Sequence, residues 1–282
     1  MDSFLPTNYS FPDTPPEFIT HKNYVECLSD LSTGLKLKYR NRIQKKAIDL
    51  QGVRKKLTLI KLTKQSIDSE RKIIITNSDY AQVCVSWISV KSYYLLYNLM
   101  LVLKYLISCQ TQSLNTPHNQ LLNEFIDCLK TSELVFSEDK FNKVMDANQI
   151  LTTKVESGAN MKIISYDVAT RVTQILKILC KYDLEEFRRK EKIASLRKKI
   201  DKSKYNAYKS GLEISLISFF YWYRIKANYR DLEFIDGVPE GIDLAQYYLY
   251  YHKLTCDFYE AFKELINSIA AKRLGNDNPL IL

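Results

Sequence analysis

Glycine and proline are scarce in this chain, seven of each in 282 residues. The prolines stand at positions 6, 12, 15, 16, 117, 239 and 279, the glycines at 34, 52, 158, 211, 237, 241 and 275. Between Thr20 and Ile235 only Pro117 supplies a proline, so nearly the whole chain lacks the residues that reverse strands. The six cysteines (27, 84, 109, 128, 180 and 256) are scattered singly, without a CxxC pair and without a histidine at ligand spacing. That speaks against a zinc site and a disulfide framework, and leaves reduced core thiols in a cytoplasmic protein as the expectation. No metal ligand and no cofactor are assigned. The phosphate-cradling GxxxxGK[ST], the dinucleotide GxGxxG, HExxH and GxSxG are all missing, which argues against nucleotide hydrolysis, dinucleotide chemistry, zinc proteolysis and α/β-hydrolase chemistry. No basic segment followed by an apolar core opens the chain, so no signal peptide is expected. The most apolar run, Tyr93 to Ile107, is interrupted by Asn98 and Lys104 and is short for a bilayer, so it reads as a buried helix with no membrane role.

What remains is rich in Leu, Ile, Lys, Glu, Tyr and Asn, 46% apolar, with apolar residues recurring at three- and four-residue steps. That pattern predicts an all-α protein with ample core. Residues 1–20 read as a Pro-rich arm, 21–76 as a basic helical extension, 77–272 as the main helical bundle and 273–282 as a tail. Ile43, Ile48, Leu50, Val53, Leu57, Ile60, Leu62 and Ile67 form an apolar stripe on a long helix or hairpin from Leu35 to about Ile75, and such a stripe needs a partner. Asn77-Ser78-Asp79 is an N-cap cluster for a helix from Tyr80 to Cys109, and Asn115 or Thr116 is placed to cap the next. Further helices are expected over 137–148, from Tyr166 through the basic run to about Tyr208, over 211–229 and from Ile242 to Lys272.

The formal charge of +9 is unevenly spread. Lys36 to Lys72 holds 13 basic and 3 acidic residues, and Arg188 to Lys209 holds 10 and 2, leaving the rest of the chain about −9. Two basic segments on an acidic body suggest an anionic partner, with nucleic acid first, although Lys-rich helices are often only solvated faces. Arg54, Lys55, Lys56, Arg197, Lys198, Lys199, Lys202 and Lys204 are the candidate contacts, with Tyr205 and Tyr208 interleaved among them as base-stacking residues. The other tyrosines, such as Tyr93, Tyr94 and Tyr97, fit core packing or a dimer interface.

The segment YWYRIKANYRD, Tyr221 to Asp231, puts Arg224, Asn228 and Tyr229 on neighbouring turns, with Lys226 and Arg230 beside them. An arginine, an amide and a phenol on one helix mean either a polar site or a structural clamp in which Arg224 pairs with Asp231 or Glu233.

Three stretches in this order resemble the HEPN superfamily of helical-bundle domains: SWISVKSYYLLYNLMLVLKYL, the loop TPH at Thr116 to His118, and RIKANYRDLEFI followed by the long closing helix. The resemblance covers roughly residues 77–272, with an insertion at about 135–210, and implies an up-and-down helical bundle. It also implies an RNA-binding homodimer or metal-independent endoribonuclease acting in prokaryotic antiviral defence or toxin–antitoxin stress response. In that family an arginine and a histidine four to six residues later cut RNA without metal. Here the arginine position matches Arg224, but the histidine position is occupied by Tyr229, in an R-x₄-Y arrangement.

Arginine grips phosphate with a planar charged fork, whereas a tyrosine, with an ordinary pKa of about 10, is a poor base near neutral pH. The resemblance implies a bundle that turns the TPH loop toward the cleft, which makes His118 the candidate stand-in base brought near Arg224; the bland alternative is a surface loop histidine or a helix N-terminal contact. The rival reading is a catalytically inactive scaffold that docks on an antitoxin or effector-complex protein.

Overall fold

The computed structural model describes residues 28, 35–38, 43–131, 133–135, 145–147, 168–229 and 244–275, with the backbone alone for 145, 168–171, 174 and 226–229. Among them seven α-helices carry the fold: α1 (Leu50–Thr76), α2 (Ala81–Ser108), α3 (His118–Lys130), α4 (Val168–Lys190), α5 (Lys199–Gly211), α6 (Phe219–Tyr229) and α7 (Leu244–Leu274). Four two-residue strands form two antiparallel ladders. β1 (Lys36–Leu37) pairs with β2 (Leu134–Val135), and β3 (Met145–Asp146) pairs with β4 (Glu213–Ile214). The all-α expectation holds at the level of class.

Helix α2 is the axis, and its main neighbours are α7, α1 and α6. Its sequence is apolar on nearly every side, so helices must cover it on nearly every side. Ser92 and Thr255 share a buried 2.6 Å hydrogen bond across α2 and α7. Further along, Arg273 at the end of α7 donates to the Leu106 and Ile107 carbonyls that α2 leaves unpaired at its C-terminus, at 2.9 and 2.7 Å. These contacts make α2 and α7 run the same way. α1 runs against both, because its N-cap residue Asp49 donates its backbone N–H to the Tyr105 hydroxyl while its far end meets Tyr248.

The stripe on α1 is occupied from within the chain: Val53, Leu57, Ile60, Ile67 and Ile74 are buried in the same core cluster as α2 and α7. The helix is shorter than the sequence pattern suggested. It starts at Leu50, where the Asp49 carboxylate accepts from the Gln51 and Gly52 N–H groups. Gly52 is there for close approach, since a Cβ would lie 3.0 Å from Asp49 Oδ2 and 3.1 Å from Leu114 Cδ1. The run expected to be unbroken from Tyr166 to Tyr208 is two helices. α4 stops at Lys190, Lys192 takes a positive φ of 55°, and α5 starts at Lys199 and folds back on α4. Neither Asn115 nor Thr116 caps α3; the N-cap is Pro117, with no side-chain cap bond. Most of the helix expected over 137–148 lies outside the described residues; its Met145–Asp146 segment is a strand.

Candidate functional site

The site begins with the aromatic packing of α6. Ser215 caps the short 3-10 turn Leu216–Ser218 that leads into it. Phe219, Phe220, Trp222 and Tyr223 are buried, with Phe219 and Phe220 against Tyr251 and Phe220 5.0 Å from Phe258 of α7. With that face committed to α7, Tyr221 and Arg224 fall on the flank that meets α2. The Arg224 guanidinium carbon lies 4.7 Å from the centre of the Tyr93 ring, 5.3 Å from Tyr221 and 5.9 Å from Tyr94. Arg224 is partly exposed, its Nε is buried without a hydrogen-bond partner, and no carboxylate among the described residues forms an ion pair with it. Ring faces, rather than a carboxylate, therefore surround this charge.

His118 reaches the same tyrosine from the other side of the loop. It is the first residue of α3, and the preceding Thr116 is pinned twice: Tyr97 donates to its carbonyl at 2.6 Å and Lys104 to its hydroxyl at 2.8 Å. The imidazole stacks on Tyr97 with ring centres 3.9 Å apart, and its Nδ1 lies 2.5 Å from the Tyr93 hydroxyl. Burial pushes the Tyr93 phenol far above its ordinary value, so it keeps its proton. Burial, and then the charge of Arg224, hold His118 below the usual histidine range. The ring is thus neutral at neutral pH, with its proton on Nε2 where Tyr93 donates to Nδ1 and on Nδ1 where Tyr93 accepts. With the proton on Nε2, that atom is a donor. It can give a hydrogen bond to an anionic oxygen, and it accepts a proton only if the Tyr93–His118 bond reverses.

The structure therefore brings Arg224 and His118 together at Tyr93. It carries the α6 backbone through Lys226, Asn228 and Tyr229; Arg230, Asp231, Glu233 and His21 lie outside the described residues. Of the basic candidates, Arg54 and Lys55 are exposed on α1, and Lys56 is half-sunk, its pKa lowered by burial. Arg197, Lys198, Lys199, Lys202 and Lys204 are exposed on and just before α5, with Lys204 3.6 Å from Glu191. Between α5 and α6 opens a cleft of about 750 Å³ whose charged lining is Asp127, Asp183, Glu186 and Glu213 against Lys190. A carboxylate-lined cleft thus stands between the α5 cations and the helix of Arg224. Tyr205 and Tyr208 are turned inward rather than offered to bases. Tyr208 donates to Asp183 at 2.5 Å and stacks flat on Phe187 at 3.9 Å, while Tyr205 packs on the core.

Two features escaped sequence reasoning. Tyr93, Tyr94, Tyr97 and Tyr221 wall the Arg224–His118 pair, and the helical spacing of the first three read equally well as core. Nor are the cysteines all without a histidine at ligand spacing. Cys256 has a histidine one helical turn away, His252, with Sγ 3.6 Å from its ring nitrogens, and Asp68 of α1 completes a cluster of three metal-type donors. The His-x₃-Cys spacing was legible; the 184-residue leap to Asp68 was not.

No protein-family model, curated protein or solved structure matches the chain. Among the described residues no helix is long and apolar enough to cross a membrane.

Proposed function

We propose that the protein binds RNA through a phosphodiester seated on Arg224 and His118. The observation that carries this reading is the side chain of Arg224, a partly exposed residue whose guanidinium is backed by three tyrosine rings, is free of ion pairing among the described residues and has a neutral imidazole on the same tyrosine. A planar fork without a carboxylate partner can take two phosphate oxygens, and with its proton on Nε2 His118 supplies a further donor. The exposed Tyr94 ring, within reach of the same guanidinium, offers a face on which a base can stack. Exposed Arg54, Lys55, Arg197, Lys198 and Lys199 add general attraction for a polyanion.

A second reading, metal-independent RNA cleavage in the manner of HEPN nucleases acting as homodimers in defence or toxin–antitoxin systems, is favoured by the neutral state of His118. It requires the opposite tautomer, with Nε2 free to take the 2′-hydroxyl proton. Incubating the full chain with mixed single-stranded RNA, with and without EDTA, beside Arg224→Ala and His118→Ala, separates the cases. Binding lost in Arg224→Ala without cleavage supports the first reading. EDTA-resistant cleavage abolished by either substitution supports the second. RNA left unbound and uncut by the wild type would make Arg224 a structural clamp and the protein an interaction subunit.

A further inference from the structure

On the opposite flank of the bundle, where α1 lies antiparallel on α7, two helical turns face each other with an unusual set of side chains. Lys64 and Asp68 are one turn apart on α1, and His252 and Cys256 are one turn apart on α7. One donor atom each from Asp68, His252 and Cys256 lies within 4.8 Å of the others. His252 Nε2 is 2.9 Å from Asp68 Oδ1, and Cys256 Sγ is 3.6 Å from the imidazole nitrogens. His252 is buried, while Cys256 and Asp68 are partly exposed, so a small ion has a path in from solvent.

Imidazole, thiol and carboxylate are together the donor set of zinc. Around a tetrahedral zinc, bond lengths of about 2.0 Å to nitrogen and oxygen and 2.3 Å to sulfur place the donors roughly 3.3 to 3.6 Å apart. The observed spacings bracket that range, and small χ rotations on two well-packed helices close the difference. The Lys64 ammonium already sits 2.6 and 2.7 Å from the two Asp68 oxygens, so the pocket favours a cation. A plain Lys–Asp–His network accounts for three of the four residues. In that network Cys256 serves only as a weak hydrogen-bonding partner of His252 and Lys64, whereas as thiolate it is a strong zinc ligand.

We propose that Asp68, His252 and Cys256 form a three-ligand zinc site that clips α1 to α7, with a fourth position open to water and with the Lys64 ammonium as the metal's competitor for Asp68. This assignment is independent of the RNA-binding reading, whose residues lie at α6 and the α3 loop.

The test uses the full chain stripped with EDTA and titrated with zinc against a chromophoric chelator, then with cobalt(II) as a spectroscopic stand-in. One zinc per chain, a thiolate-to-cobalt charge-transfer band, and a melting midpoint raised by zinc are expected. Cys256→Ser should weaken zinc binding at least about tenfold and remove the band. Lys64→Met should tighten binding, because it removes the competing charge while keeping the aliphatic stem. Should His252→Gln fail to fold, Cys256→Ser, a single-atom change at a partly exposed position, and Lys64→Met still decide the matter. No stoichiometric zinc in either the wild type or Lys64→Met, or zinc bound equally well by Cys256→Ser, overturns the proposal.

Discussion

Replacing Arg224 by glutamine and, separately, by lysine tests the ligand role of this residue most sharply. Glutamine removes one charge and the fork. A charge-assisted hydrogen-bonded contact to phosphate is worth about 1.5–3 kcal/mol, so affinity for single-stranded RNA should fall about ten- to hundredfold. One fewer neutralised phosphate should also flatten the slope of log K against log salt by about 0.7. Lysine keeps the charge but cannot lie flat on three rings at 4.7, 5.3 and 5.9 Å while presenting a planar fork. It should hold the wild-type slope and bind with intermediate affinity. Both variants should fold. The cation–π contacts contribute about 0.5–2 kcal/mol, and removing the buried, unpartnered Nε donor returns about 1 kcal/mol, so net stability changes by about 1 kcal/mol or less. Fluorescence anisotropy with a labelled RNA oligomer at four or five salt concentrations, with thermal melts as control, measures all of this. A folded Arg224→Gln protein that binds within about twofold of wild type, with an unchanged slope, would falsify the placement of phosphate on Arg224.

Three further outcomes follow from local chemistry. Tyr248→Phe removes a buried hydroxyl that donates to the Ile67 carbonyl at 3.0 Å and the Glu70 carboxylate at 2.9 Å, so urea unfolding should show a loss of about 1.5–3 kcal/mol; a loss under about 0.5 kcal/mol would mean that Lys91 and water satisfy Glu70 without it. Cys109 ends α2 at a φ of 57°, where a side chain is strained, so Cys109→Gly should stabilise by about 1 kcal/mol in the same assay, and a destabilised variant would refute the strain argument. His118 is held below its ordinary pKa of about 6.5, so its contribution to stability is complete above that pH and is lost as pH falls from there towards the folded-state pKa; His118→Asn should show a shallower decline of stability below pH 6.5, and parallel curves would show that His118 titrates normally.

The helical class was written in local information. Scarce glycine and proline and three- and four-residue apolar spacing located α2 and α7 within two residues at each end, because helix formation depends on neighbours a turn apart. The expected cap cluster at 77–79 does not cap α2, whose N-cap is Tyr80 with no side-chain cap bond, because Ser78–Tyr80 forms a 3-10 turn leading into it. Boundaries set by long-range contacts were not legible. α1 begins at Leu50 because Asp49 both caps it and meets Tyr105, and the 166–208 run breaks where α5 folds back on α4, which no local signal marks.

The site divides along the same line. The sequence singled out Arg224 as a cation among aromatics, with a structural clamp as the alternative, and His118 became a candidate only through the family resemblance. That they meet on Tyr93 depends on α6 being held to α7 by Phe219 and Phe220, which turns Arg224 towards α2, and on Tyr97 and Lys104 pinning the Thr116 loop. The acidic cleft beside α5 and the Asp68–His252–Cys256 cluster arise from pairings across many tens of residues, 184 in the second case. Composition and periodicity report on surfaces one helix at a time; which surfaces meet is decided by the packing of several helices around α2, and that is where the chemistry of this protein was set.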